Sequence, residues 1–198
     1  MQREIFKPTI SLFLICFIVS LCLAVTNYVT ADVIEERGRI DAENAKKEVL
    51  SEADSFFAIE NLEELLAEHS ELGIVTEASE GKKDNSIVGY VFTVIAKGYG
   101  GNIKTIVGIN NDGEIKGVKI SESQETPGLG LKASDEPFIT QFFNISPQSL
   151  LKVVKSNKLK QEEIQAVSGA TVTSSAVTEA VQKAVDAMAV ISGKGEAK

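Results

Sequence analysis

The chain has no tryptophan, one histidine and two cysteines. Both cysteines, Cys16 and Cys22, lie inside an apolar N-terminal run, so residues 32–198 contain none. This excludes a disulfide framework and a cysteine-ligated zinc or iron–sulfur centre for everything beyond that run. His69 has no second histidine with which to form a metal pair, and it reads as a solvent-facing helix residue. Any aromatic stacking on a flat ligand must come from the three tyrosines or nine phenylalanines. Positive charge is scarce too. The net charge is −8, and Met1–Ala31 contributes +1 through Arg3, Lys7 and Glu4, which leaves −9 on residues 32–198. An acidic body repels phosphate backbones and anionic membrane surfaces, which argues against a nucleic-acid partner.

What the chain does have is one long uncharged stretch. Ile10–Val29 reads ISLFLICFIVSLCLAVTNYV. At helical rise, twenty residues span about 30 Å, the thickness of a hydrocarbon core. Arg3 and Lys7 precede it, and Asp32, Glu35 and Glu36 follow it. The positive-inside rule then predicts a single-pass anchor with a cytoplasmic N-terminus and an extracytoplasmic remainder. A cleaved signal peptide is the competing reading, because Val29-Thr30-Ala31 resembles a small-residue cleavage site, but the run is long for that purpose. A lipoprotein signal is excluded because Ile15 and Leu21, both bulky, precede the two cysteines. The expected organisation is an anchor over 1–31, a helical connecting region over 32–80 and a ligand-binding domain over 81–198.

Asp32–Glu71 is rich in Ala, Glu, Leu and Lys, and Val49, Ala53, Phe56 and Phe57 recur at helical spacing. This predicts a helix leaving the membrane and a second short helix around Leu62–His69. Gly81–Asn85 reads as a turn. Beyond it the pattern turns β-branched and aromatic. Strands are predicted over Ser86–Ala96, Ile103–Asn110 and Glu114–Ser121, joined by the glycine turn Gly98-Tyr99-Gly100-Gly101 and the hairpin Asn110-Asn111-Asp112-Gly113. Ile103, Thr105, Val107 and Ile109 share one face of the middle strand. Glu136–Leu150 reads as a connection with a short helix, and Glu163–Val167 as a short strand. A helix is predicted from Thr173 to about Ile191, its inner stripe formed by Val177, Ala180, Val181, Ala184, Val185 and Met188. Gly193–Lys198 reads as a tail. The fold class is α+β: an N-terminal transmembrane helix, then an antiparallel sheet with helices packed on one side.

Two segments have the composition of a binding site. Ser168-Gly169-Ala170-Thr171-Val172-Thr173-Ser174 combines small residues and hydroxyls at a helix start, where free N–H groups and the helix dipole suit a phosphate. An ordinary N-cap by Thr173 or Ser174 explains the same pattern. Gln124–Lys132, QETPGLGLK, offers Glu125 and Thr126 as polar groups, Pro127 as a stiffener, and Gly128 and Gly130 as bare backbone that lies against a flat ring and donates N–H groups to it. A structural turn is the alternative.

Together these segments resemble one family. Ser168–Thr171 followed by Thr173-Ser174 resembles the flavinylation signature S/T-G-A-T-x-T/S. Glu125–Gly130 resembles its companion motif, and Gly98–Asn102 with Val107–Ile120 resembles its sheet core. The family is the FMN-binding domain shared by the G component of the Rnf complex and the C component of the sodium-pumping NADH:quinone oxidoreductase. Length suits the G component better. The resemblance implies FMN held by a phosphoester to Thr171, with Ser168, Gly169, Ala170, Thr173, Ser174, Glu125, Thr126, Gly128, Leu129 and Lys132 around it, Lys132 being the nearest cation by sequence. It also implies attachment by a flavin transferase using FAD. It further implies electron transfer within a ferredoxin:NAD oxidoreductase coupled to Na⁺ or H⁺ movement, beside iron–sulfur and integral-membrane flavin subunits. No catalytic acid/base pair and no metal site is expected. A role like that of the C component, or a stand-alone exported flavoreductase, is the alternative. The chain departs from the family pattern at Gln165, usually Asp, and at Ser123, often His.

Overall fold

The structure, a computed structural model, describes residues 2–147, 149–156, 158 and 160–193, with side chains from Pro8 onward. The side chains of Arg3, Glu4 and Lys7, and the tail beyond Gly193, lie outside the described residues. The first element is a helix, α1 (Gln2–Val49). It carries an uncharged window of mean hydropathy 2.6, none of it buried, so it is long and apolar enough to cross a membrane. The chain divides into two compact units after Glu43, so the last turn and a half of α1 belongs to the second unit.

That second unit is built on a five-stranded antiparallel sheet in the order β1 (Ser55–Ala58), β2 (Val75–Lys83), β3 (Ser86–Lys97), β4 (Asn102–Asn110) and β5 (Ile115–Ser123). The three predicted strands are the last three. The first two were expected to be helical or turn. Phe56 and Phe57 belong to a strand paired with Gly81 and Glu80, and Gly81–Lys83 extends β2 up to a tight turn at Asp84 and Asn85, both at positive φ. Gly81 sits close under Leu50, where an added Cβ would lie 2.6 Å from Leu50 Cδ2. The short helix α2 covers only Leu62–Leu65, so His69 falls outside it, half-buried, 3.5 Å from Glu71. At the β4–β5 hairpin, Asn110 Oδ1 accepts the N–H groups of Asp112 and Glu114 at 3.0 and 2.9 Å, and Gly113 takes φ +84°.

Helix α4 (Thr171–Ile191) packs its predicted stripe on one face of the sheet. Val177, Ala180, Val181, Ala184 and Met188 are buried against Phe92, Val94, Ile103, Val107 and Ile109. The opposite face is covered as well. Ala45, Val49 and Leu50 form a smaller core with Val91 and Ile106. Gly108 and Gly117, paired across β4 and β5, make this possible: a Cβ on Gly117 would meet Val49 Cα at 2.6 Å, and one on Gly108 would strike the Val49 carbonyl. Helices therefore lie on both sides of the sheet. A second ladder, parallel and three residues long, joins β6 (Lys152–Val154) to β7 (Glu163–Gln165), with α3 (Glu136–Ile139) in the connection before it.

Candidate functional site

Helix α4 starts two residues earlier than its hydroxyl pattern suggests. Ala170 is its N-cap and makes no side-chain cap bond, and Thr171 is the first helical residue. The first i→i−4 bond runs from the Ser174 N–H to the Ala170 carbonyl at 2.9 Å. The N–H groups of Thr171, Val172 and Thr173 precede that bond, so they are the free donors of the helix end. Ser174 is no cap either. Its buried hydroxyl donates to the Ala170 carbonyl at 2.9 Å and accepts the Val167 N–H at 3.0 Å, folding the 167–170 loop onto the helix. Gly169 takes φ +80°, a conformation disfavoured for residues with a Cβ.

Upstream, the loop hangs from β7. The Gln141 side chain clasps the Gln165 backbone, its Nε2 donating to the carbonyl at 3.1 Å and its Oε1 accepting the N–H at 2.8 Å. The Gln165 side chain, standing where the family usually has Asp, is exposed. It lines a shallow depression with Lys132, Asp135 and Gln141.

The second motif forms the facing wall. Glu125 is only 5% exposed. Its Oε1 accepts the N–H groups of Tyr99 at 2.7 Å and Gly100 at 3.3 Å, which ties the 98–101 turn to the 124–130 loop. Its backbone N–H donates to the Ser123 hydroxyl at 3.2 Å, so Ser123 has a local structural role. Gly98 and Gly130 leave space for the carboxylate, and a Cβ on either would strike it. Two of the loop's N–H groups are used within the loop itself. Those of Leu129 and Leu131 turn back to the Thr126 carbonyl, at 3.2 and 3.4 Å.

The two walls meet. Leu129 Cδ2 lies 3.3 Å from where a Gly169 Cβ would stand. Between them opens a cavity of about 430 Å³ lined by Tyr99, Glu125, Thr126, Leu129, Gly130 and residues 169–173. Of the expected site residues, Glu125, Thr126, Leu129, Gly169, Ala170, Thr171 and Thr173 line it. Ser168 and Gly128 are exposed beside it, Ser174 is buried beneath it, and Lys132 faces the neighbouring depression. Gly130, expected to lie against the ligand, lines the cavity too, whereas sequence reasoning did not single out Tyr99 and Val172 as lining residues. Tyr99 had a usable signal: an aromatic between glycines in a turn has no core to enter, and it is 78% exposed.

The cavity suits a phosphorylated, flat, largely apolar ligand. Thr173 is 2% exposed and lines the cavity. A threonine hydroxyl beside the N–H groups of a helix start is suited to phosphate oxygens. Tyr99, Leu129 and Val172 supply exposed apolar surface at the mouth.

Residues 98–186 match the family model of the FMN-binding domain. The G component of the Na⁺-translocating ferredoxin:NAD⁺ oxidoreductase complex of Acetobacterium woodii is 39% identical, over 92% of this chain and 91% of that one. The G component of the proton-translocating complex of Clostridium ljungdahlii is 32% identical, over 97% and 96%. Among solved structures, the C component of the Na⁺-translocating NADH-quinone reductase of Parabacteroides distasonis matches with TM-score 0.50 at 20% identity, over 77% of this chain and 82% of that one. Shewanella oneidensis NqrC also matches with TM-score 0.50, at 22% identity over 62% of this chain, which spans 61% of that one. These two likenesses bear on the fold. The chain belongs to the family of G components of ion-translocating ferredoxin:NAD⁺ oxidoreductase complexes, and its second unit is an FMN-binding domain.

Proposed function

We propose that this protein is a membrane-anchored electron carrier of such a complex, holding FMN covalently through Thr171 in the cavity between the 124–130 loop and the start of α4. The observation that carries the reading is the convergence of the two motifs on one cavity, with the first residues of α4, Thr171 to Thr173, in its lining. When bound, the flavin supplies the redox chemistry, accepting and releasing electrons.

The chain's own groups bind and orient. The N–H groups of Thr171, Val172 and Thr173, with the Thr173 hydroxyl, hold the phosphate. Thr171 Oγ1 is the attachment point. On a flavin transferase it would displace AMP at the flavin phosphorus of FAD, losing its proton as the phosphoester forms. Ser174 and Gln141 hold the attachment loop, and Glu125 holds the opposite wall. Tyr99, Leu129 and Val172 shield part of the ring and leave the rest open to partners. A covalent bond suits a domain outside the cytoplasm, where freely dissociating FMN would be lost by dilution. The anchor, N-terminus cytoplasmic, places the carrier beside integral-membrane flavin and iron–sulfur subunits, with Ser11, Ser20, Thr26 and Asn27 available for helix packing.

The test is flavin fluorescence of the protein from its native host on a denaturing gel. The wild type is expected to fluoresce and Thr171→Ala to be dark at equal protein. A dark wild type in the presence of the transferase, or a bright Thr171→Ala band, would overturn the covalent assignment.

A further inference from the structure

Glu125 is a buried carboxylate that holds one wall of the cavity and whose charge is not required for that task. Its position is unusual in two respects. It is 5% exposed, yet its visible partners are two backbone N–H groups at 2.7 and 3.3 Å rather than a cation. It also lines the cavity, and none of the other lining residues is Lys, Arg or His. Lys132, the cation nearest in sequence, faces the depression next door. The lining therefore presents one buried carboxylate and no cationic side chain to whatever occupies the cavity.

We propose that the Glu125 carboxylate is a potential-setting residue that keeps the redox midpoint of the cavity's flavin low; this rests on the reading that the cavity holds FMN. Each electron reaching the ring brings negative charge, and protons drawn from water compensate it only in part. A nearby carboxylate raises the free energy of the reduced form more than that of the oxidised form, because attenuation by solvent is weak in a buried site. The same group clasps the 98–101 turn, and the two roles are separable. The Glu125→Gln amide retains an oxygen that can accept the Tyr99 and Gly100 N–H bonds, while the charge is gone. Glu125→Asp keeps the charge on a shorter arm.

The experiment is a spectroelectrochemical titration of the full-length, detergent-solubilised protein, matured in its native host, as wild type, Glu125→Gln and Glu125→Asp. Covalent loading is read by gel fluorescence, and thermal unfolding of each variant is compared in the flavin-free Thr171→Ala background. Glu125→Gln is expected to load, to unfold near the parent temperature and to titrate higher. Its two-electron reduction constant should rise about tenfold, or ~30 mV. Glu125→Asp should stay near wild type. An unchanged midpoint in Glu125→Gln overturns the proposal, as does an equal shift in Glu125→Asp, which would assign the effect to geometry. Failure of Glu125→Gln to fold or load overturns it too, since the amide would then not replace the clasp. A wild type without flavin would instead remove the FMN reading on which the proposal rests.

Discussion

The two walls of the cavity are held by different chemistry. The 124–130 wall depends on one ionised side chain, Glu125, packed against glycines and bonded to the N–H groups of the neighbouring turn. The 168–174 wall depends on neutral groups, a Ser174 hydroxyl bridging both ends of its loop and a Gln141 amide clasping the strand that feeds it. A charge buried among donors concentrates strength and field in one place. Neutral pins spread the same task over several residues and add no net charge near Thr171. The wall that carries Thr171 thus presents only the partial positive charge of a helix start, and the facing wall a carboxylate.

This contrast sets an order of effects. Glu125→Ala removes hydrogen bonds to a charged acceptor and leaves two N–H groups unserved, so it should destabilise the second unit by about 2–3 kcal/mol. Chemical denaturation of the flavin-free protein measures it, and a loss under about 0.5 kcal/mol would erase the distinction between the walls. Ser174→Ala should cost about 1–2 kcal/mol, because it strands the Val167 N–H. Gly169→Ala should cost ~1 kcal/mol from the positive φ, plus a shift of Leu129 that narrows the cavity and slows flavin attachment. Gln141→Ala should cost about 0.5–1.5 kcal/mol and lower covalent loading more than its small effect on melting suggests, which a time course of gel fluorescence would show. Lys132→Ala should change neither loading nor midpoint, since its side chain faces another depression. A measurable midpoint shift there would show that the cavity's field extends past its lining.

The sheet was legible where local chemistry dictated it. The Asn110–Gly113 hairpin declares itself through residues suited to positive φ and Asx bonding, and Ile103, Thr105, Val107 and Ile109 alternate inward as expected, all buried. The first two strands were hidden because β2, VTEASEGKK, is polar and rich in helix formers. Only pairing with β3 and the close seat of Gly81 under Leu50 make it a strand, and both are tertiary facts. The adjacent Phe56 and Phe57 mimic a helical stripe for the same reason. The parallel β6–β7 ladder joins residues eleven apart with no turn signature of its own. At the site, the helix start was misplaced by two residues because an alanine N-cap carries no polar mark, while Thr173 and Ser174 look like caps and are not. Glu125 was legible as part of a motif. Its burial and its exchange of a solvent shell for two backbone donors were not, since those depend on a turn 25 residues away.

The three-residue ladder from which the 166–170 loop hangs has a kinetic consequence. Its six residues include one, Ile164, that is fully buried, whereas α4 sets ten buried residues on the domain. Local opening of so small a unit costs far less than global unfolding. Amides of 163–168 should therefore exchange with solvent deuterium well before those of 177–188. Opening of this segment would loosen the 167–170 loop that leads into Thr171 while the buried face of α4 stays shut.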